Sequence, residues 1–554
     1  MLFKAGAKPG DPGLEFDVPT VTVLVGPNNS GKSLALREIE DWCINEDKPQ
    51  RMIEKLELEL PTDQGEAENL IRRFQAEPPK DRTATADQIW IGAPTFRGGG
   101  AALYEEINLP GVLQTLLSGD AKNHRHYFSR LYTVRLDGRT RFALSDPKPT
   151  GDLQLHPQNH LWKLFVDDAA RERVRNFSKE AFGLYFTVDP TAMSQFRIRM
   201  SARAPASPQE ERGLDKDSQK FHAAATPIQD LSDGVQAFTG LTSALLSLPH
   251  TIILIDEPEA FLHPPLARRL GANLAKVAAE RGASLVVSTH SAEFLMGCIE
   301  TNIEVRIVRV TYNSNVATAR SVASTDLKNL MKKPLLRSAQ ALRGIFHKGV
   351  IVTEGDTDRA FYEEINRRLM ETGKGSDDTL FLNAQNWNTI SRITKPLRNL
   401  GVPTAAIYDI DSIYETGQNW SAIFDMCVTE PTERVRLQEL KEKARLGCNK
   451  VTRDICKKSG LNALEGQNRL DVEMFQKEMK KYGVFIVDVG ELEAWLKGLL
   501  PSPVSKEGWL DAIFTALGDD PGGSEYTRAG DNDVWAFLED VAGWIRDPNR
   551  LGVF

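Results

Sequence analysis

Short apolar runs, each closed by a polar or acidic cluster, recur along the chain at intervals that suit alternating strands and helices. Val21–Val25 is a β-branched strand, and LALREIEDW behind it places apolar residues at helical spacing. Residues 251–256 and 285–288 are continuous apolar runs of the kind buried on both faces of a parallel sheet, and 304–310 is a further strand. A Lys-rich helical bridge through Arg343 leads to a second series, with strands at Val350–Val352, Thr404–Ile413 and from Gly483. Phe361, Ile365 and Leu369 recur every four residues along one helical face after the first of these. Between Ser33 and Asp230 the pattern is looser. It predicts helical stretches over Arg51–Phe74, a hairpin in YTVRLDGRTRFAL with Asp137-Gly138 at its turn, and a flexible connector, SARAPASPQEERGLDKDSQK. After Pro501, Trp509, Trp535 and Trp544 fall on amphipathic helices that read as packing elements.

Length turns this pattern into domains: 554 residues suffice for two to four at about 100–200 residues each. No apolar run approaches the roughly 20 residues that span a bilayer, and MLFKAGAKPGDPG lacks the apolar core of a signal peptide, so a cytoplasmic protein with no membrane association is expected. The five cysteines are scattered without a CxxC pair and read as free thiols. Net charge is −8, yet Pro431–Tyr482 carries thirteen Lys or Arg against eight Asp or Glu. A solvated helical face and a surface gripping a nucleic-acid backbone both fit that excess.

Two stretches carry chemistry. Gly26-Pro-Asn28-Asn29-Ser30-Gly31-Lys32-Ser33 matches the phosphate loop GxxxxGK[ST], placed between a strand and a helix. Backbone N–H groups there cradle phosphate, Lys32 brings a charge to the β and γ phosphates, and Ser33 offers its hydroxyl to magnesium. TIILIDEPEAFLHP ends a strand in Asp256 and Glu257, the first acid suited to holding magnesium and the second to orienting the attacking water. LVVSTHS ends near His290, placed to contact a γ-phosphate, and DLSDGVQAF puts Ser232 and Gly234 at a helix start. Gln88 is a candidate for a glutamine loop. His124 and His126 in NHRHYF read as exposed loop residues rather than a metal pair, because no third ligand stands at suitable spacing.

The second stretch, VIVTEGDTDRAFY, packs Glu354, Asp356 and Asp358 into one turn of chain. Strand alternation predicts that Asp409 and Asp411 point together, and Asp488, Glu491 and Glu493 follow a third strand. Acids delivered to one sheet edge by three strands suit magnesium or manganese, which would neutralise their repulsion. Asp356 reads as a helix cap.

With these motifs in order, the chain resembles the ABC-type ATPases in the branch of Rad50, SMC and the OLD (overcoming lysogenization defect) proteins over about residues 15–310. LSDGVQ stands in place of the family's LSGGQ, with Asp233 where glycine is usual, and DEPEAFLHP has OLD-like wording. Over about 345–500 the chain resembles the Toprim domain of topoisomerases, DnaG-type primases and OLD nucleases. Together these features resemble the OLD-family endonucleases, including the nuclease subunit of Gabija-type phage-defence systems.

The resemblance implies an α/β fold: an ABC-type ATPase domain over 1–340 with an inserted helical or dimerisation lobe at about 45–225, a Toprim domain over 345–500 with a basic helical insertion at 431–482, and a C-terminal helical extension over 501–554. It implies ATP sandwiched between the phosphate loop of one head and Ser232 and Gly234 of another, hence a homo-oligomer of at least two chains. It also implies a divalent metal held by Glu354, Asp358, Asp409, Asp411 and Glu491 or Glu493, DNA as the substrate, and a partner defence protein. Lys497 and Lys450 are candidates for the cation at that site. Two other functions are compatible with the sequence: an SMC-like ATP-driven sensor without nuclease activity, and an RNA-directed toxin nuclease.

Overall fold

Val21–Val25 (β1) is buried along its whole length, which is why none of its five positions carries a charge. The computed structural model describes residues 1–44, 50–79, 82, 85, 87–93, 103–247, 249–313, 315–332, 334, 340–427, 430–500 and 504–553. They form two compact units, one of Met1–Lys4, Pro12–Val25 and Gly31–Val308, the other of Ala5–Asp11, Gly26–Ser30 and Arg309–Phe554.

In the first unit, helix α1 (Lys32–Ile44) follows the phosphate loop. Thr133–Leu136 (β2), Ile252–Asp256 (β3) and Ser284–Ser288 (β4) join β1 in a sheet ordered β1-β4-β3-β2, every neighbouring pair parallel. Helices α2 (Asp233–Ser247) and α3 (Pro264–Arg281) flank β3 in sequence, and Val305–Asn313 (β5) lies next to β1 before the chain runs into the second unit as Val316–Ala323 (β6).

The expected hairpin at Asp137-Gly138 is not formed. Asp137 accepts a hydrogen bond from the Thr140 N–H at 3.1 Å, and Gly138–Ala143 turns into a short helix, so β2 joins the central sheet as its edge instead. Residues 51–74 are only partly helical: Ile53–Lys55 is a strand and Gln64–Arg72 the helix, its N-cap supplied by Asp63. Gln88 opens a strand of a separate three-stranded antiparallel sheet. His124 is buried against Phe128 and Tyr132 rather than exposed, and burial lowers its pKa to about 4; the His126 side chain lies outside the described residues. The Lys-rich bridge is helical over Ser324–Lys332 and ends in a 3₁₀ turn at Ala341–Phe346; residues 333 and 335–339 of it lie outside the described residues.

The second unit is built on a four-stranded, wholly parallel sheet. Its strands are Gly349–Thr353 (β7), Thr379–Asn383 (β8), Thr404–Tyr408 (β9) and Val484–Ile486 (β10), in the order β8-β7-β9-β10. The sequence pattern does not reveal β8; its run TLFLN is short and follows Asp377-Asp378, leaving no periodicity to detect. Helices α4 (Asp356–Glu371) and α5 (Trp387–Asn399) follow β7 and β8. The basic stretch forms α6 (Pro431–Cys448), α7 (Arg453–Ser459) and α8 (Gly466–Lys481).

The last helices, α9 (Lys506–Leu517) and α10 (Asp533–Arg546), belong to the core of this unit. Trp509, Trp535, Leu538 and Ile545 pack with Ile351, Phe361, Ile365 and Phe485. Two buried arginines fasten this arrangement. Arg398 donates to the carbonyls of Thr404, Met426 and Gly483. Arg368 donates to those of Leu517, Gly518 and Thr527, satisfying loop carbonyls that burial would otherwise orphan. Because Leu538 is fully buried in this shared core, Leu538→Ala should cost about 2–5 kcal/mol. The loss should be seen in the denaturant unfolding of the second unit; a change below about 1 kcal/mol would show that the C-terminal helices are peripheral.

Candidate functional site

The phosphate loop takes backbone conformations that its residues are chosen for. Gly26 and Gly31 have φ of 141° and 92°, and Asn29 has φ 60°. A Cβ at Gly31 would lie 2.8 Å from the Met52 sulfur, and one at Gly26 would collide with the Val310 carbonyl oxygen. Lys32 is buried. Ser33 Oγ donates to Asp256 Oδ1 at 2.9 Å, and the Ser288 hydroxyl donates to the same oxygen. The two side chains expected to hold magnesium are thus in direct contact.

Glu257 stands just past the end of β3 in the left-handed region, φ 50°, a conformation that costs a non-glycine residue about 1–3 kcal/mol. Its N–H donates to the Ser288 carbonyl, and its Oε1 is 3.5 Å from His290 Nε2. Glu259 is a residue that the motif reading misses. Its Oε1 accepts from Thr289 Oγ1 at 2.7 Å and from the His290 N–H at 2.9 Å, so it fixes the turn that presents His290. Its carboxyl is pushed above the ordinary range by burial, against the pull of those hydrogen bonds. The signal is present in DEPE, where a second acid follows Glu257 at a spacing of two. Ser232 precedes α2, and a Cβ on Gly234 would meet the Phe261 carbonyl at 2.7 Å, so that glycine is set by close backbone approach. Asp233 is the first residue of α2, where a carboxylate complements the helix dipole.

In the second unit the acids converge at the C-terminal edge of the parallel sheet. Glu354 follows β7, and burial first, then repulsion from Asp358 and Asp411, raises its carboxyl above the ordinary range. Asp358 accepts a hydrogen bond from the Gly355 N–H at 2.8 Å, so it is this residue that closes the first turn of α4. Asp356, expected to cap, is exposed and pairs with Arg359. Asp358 is also raised, by burial and by Glu493, despite that bond. Asp409 is raised furthest, by burial and then by Asp358, Glu354 and Asp411.

Alternation along a strand is not what aligns Asp409 with Asp411, because β9 stops at Tyr408 and Ile410–Tyr414 is a 3₁₀ turn. The turn leaves Asp409 and Asp411 both half-buried. Likewise β10 ends at Ile486, and Glu491 and Glu493 lie in and beside a short 3₁₀ turn over Leu492–Ala494. Asp488 is raised by burial and is influenced chiefly by Lys480 and Asp533.

Three cations that the sequence reading did not name are in ion-pair contact with acids at this edge. Arg453 Nη2 and Lys457 Nζ stand 3.3 and 3.8 Å from Asp411 Oδ2, and Lys506 Nζ stands 2.7 Å from Glu491 Oε1, all three on exposed side chains as Lys497 and Lys450 also are. Lys506 is raised by that bond and by Glu493 and Asp409. No periodicity could single out these three, since α7 and α9 reach the edge only through tertiary packing. Among the described residues no three His, Cys, Asp or Glu side chains are spaced to hold a metal ion as they stand. Their chemistry still fits one: an all-oxygen set, half-buried and mutually repelling, suits a hard divalent cation.

A carboxyl raised by burial destabilises the fold once ionised, by about 1.4 kcal/mol for every tenfold weakening of the acid. Asp409→Asn should therefore raise the melting temperature of the metal-free protein at pH 8. The gain should shrink as the pH falls toward the ordinary carboxylate range and Asp409 takes up its proton. Equal melting temperatures for the two proteins at pH 8 would show that Asp409 carries no such burden.

Comparisons with known proteins divide the chain in the same way. Residues 105–296 match a family model described as an AAA domain, whose description refers to the AbiEii toxin of a type IV toxin–antitoxin system. Residues 345–411 match the overcoming lysogenization defect protein-like TOPRIM domain. The Old nuclease of Escherichia phage P2 is 24% identical over 261 residues, which cover 44% of this chain and 43% of that protein, so the match spans less than half of the relative's length. Among solved structures, an SMC head bound to the C-winged helix domain of ScpA matches over 60% of this chain and 98% of that one, at 15% identity and a TM-score of 0.32. The SMC head domain from Thermotoga maritima matches over 58% and 97%, at 15% identity and a TM-score of 0.27. The chain thus joins an AAA-type ATPase domain to an OLD-like TOPRIM domain and is similar to the Old nuclease over less than half of its length.

Proposed function

We propose that this protein hydrolyses ATP and is a divalent-metal-dependent endonuclease that cuts DNA phosphodiester bonds, in anti-phage defence and under nucleotide control. The observation that carries the nuclease reading is the gathering of Glu354, Asp358, Asp409 and Asp411 at one sheet edge, each of the first three raised by burial and repulsion, inside a domain of OLD-like TOPRIM sequence.

Glu354, Asp358, Asp409, Asp411, Glu491 and Glu493 hold the metal, magnesium or manganese. When bound, that metal activates water and stabilises the leaving oxygen of the phosphodiester. Lys506, Lys457 and Arg453 border the acids and can pair with the oxygens of the scissile phosphate, which holds the DNA backbone in place beside the carboxylates. In the first unit, Lys32 neutralises the β and γ phosphates, Ser33 and Asp256 hold magnesium, Glu257 orients water, and His290 contacts the γ-phosphate. Ser232 and Gly234 complete the site of a second chain, so the working form is at least a dimer. DNA contacts and a partner defence protein extend the family resemblance to this chain.

Glu354→Ala should abolish cleavage of plasmid DNA with magnesium or manganese while leaving ATP hydrolysis intact; retained cleavage would remove Glu354 from the site. RNA in a parallel reaction should remain whole. Lys32→Ala and Glu257→Gln should each cut ATP turnover by at least about 100-fold, the scale on which removing one transition-state group acts. Both should also change the effect of ATP on DNA cleavage, and cleavage with ATP identical to the parent protein's would separate the two activities.

A further inference from the structure

Away from the carboxylate edge, the second unit encloses a cavity of about 440 Å³ whose lining carries five basic side chains, Lys8, Arg309, Arg320, Lys348 and Arg550, against one acid, Glu430. The volume falls within the roughly 300–1,000 Å³ typical of small-molecule sites. Lys348 is paired with Asp377, and Lys8 is exposed. The three arginines are different, because none of them is in ion-pair contact with a carboxylate among the described residues.

Arg309 is buried and spends its donors on three carbonyls, Ile345 at 3.2 Å, Gly401 at 2.9 Å and His347 at 2.9 Å. Arg550 donates to the carbonyls of Trp544 and Ile545. Arg320 Nη1 is buried with no hydrogen-bond partner among the described residues. Gly401 lets the first and third approach: its carbonyl receives Arg309, and at φ 75° it has no Cβ, which would otherwise lie 2.8 Å from Arg320 Cδ. Burial, together with repulsion from Arg550 and Arg320, depresses the Arg309 guanidinium to about 9, and burial lowers Arg550 to about 10, so both stay charged at neutral pH. Asp378, Asp11 and Asp547 act on Arg309, Arg320 and Arg550 only at longer range.

Uncompensated guanidinium charge in a cavity is a standing cost that a bound anion would relieve. Guanidinium forks match phosphate oxygens bidentately, and a donor already desolvated and unpaired loses nothing further on binding. We infer that this cavity is a binding site for a small phosphate-bearing anion, held by Arg320 with Arg309 and Arg550 around it. The source of the phosphate is either inorganic pyrophosphate or a free nucleotide, since both present the same group and both fit the volume.

The test is calorimetric titration of the full-length Lys32→Ala protein, whose phosphate loop is weakened by loss of its lysine, with pyrophosphate and separately with ADP, in low salt without divalent metal. One site per chain is expected for at least one of the two probes, and the tighter probe identifies the source. Adding Arg320→Ala should weaken binding at least ten-fold without lowering the melting temperature, because its buried Nη1 makes no hydrogen bond among the described residues. Arg550→Gln serves as the second variant and should weaken it likewise. Absence of binding by both probes would overturn the assignment. So would binding that Arg320→Ala and Arg550→Gln both leave unchanged, or a site filled by short duplex DNA and by neither small anion.

Discussion

Like charges gathered at one edge cannot hold themselves there, and that constraint governs the second unit. Glu354, Asp358 and Asp409 are each half-buried, and each is raised by burial and by a neighbouring carboxylate. What keeps them in place is apolar: β7 and β9 are buried at every position, and α4 turns Phe361, Ile365 and Leu369 into the same core. Directly behind the acids, Tyr362 is buried and receives a hydrogen bond from Trp495 Nε1 at 3.1 Å. The stability surplus of the sheet and its C-terminal helices offsets the electrostatic cost at its edge. A functional cluster of this kind therefore requires a larger core than the strands alone supply, and α9 and α10 provide it.

Arginine serves three distinct purposes within this one unit, told apart by what each guanidinium touches. Arg398 and Arg368 saturate backbone carbonyls and act as fasteners. Arg453 faces a carboxylate of the acidic edge, where Lys457 and Lys506 also stand. Arg320 touches neither carbonyl nor carboxylate through its buried Nη1. Identical side chains thus differ in meaning only through their surroundings, which is why a charge count over residues 431–482 could not say which of its cations matter. Some are paired along their own helices, as Arg445 with Glu442 and Arg469 with Glu473, and Arg434 and Lys480 pair with Asp425 and Asp540 of neighbouring helices. Such exposed pairs contribute little, whereas Arg453 and Lys457 are directed at the edge.

Strained backbone occurs at residues in and beside the nucleotide motifs. Asn29 in the phosphate loop and Glu257 after β3 both hold left-handed backbone, and the buried Oε2 of Glu259 has no hydrogen-bond partner among the described residues. A turn that tolerates these costs is one whose side-chain positions are fixed in advance, as stabilisation of developing charge requires.

The sequence by itself determined the buried strands, the phosphate loop and the order in which acids follow strands, because each is a local pattern of period, glycine and charge. It therefore located Ser33, Asp256, Glu354, Asp358 and Asp409 without any tertiary information. It failed where local pattern and global fold part company. The Asp137-Gly138 stretch carries a hairpin signal, but a capping contact to Thr140 and pairing with β3 turn it into an edge strand and helix. The alternation argument for Asp409 and Asp411 reached the right neighbours for the wrong reason, since a 3₁₀ turn sets them. Lys506, Glu259 and the arginine cavity were decided only by tertiary structure. Their meaning lies in contacts between residues distant in sequence, 15 positions between Lys506 and Glu491 and 31 between Glu259 and His290. No periodicity along the chain encodes such a contact.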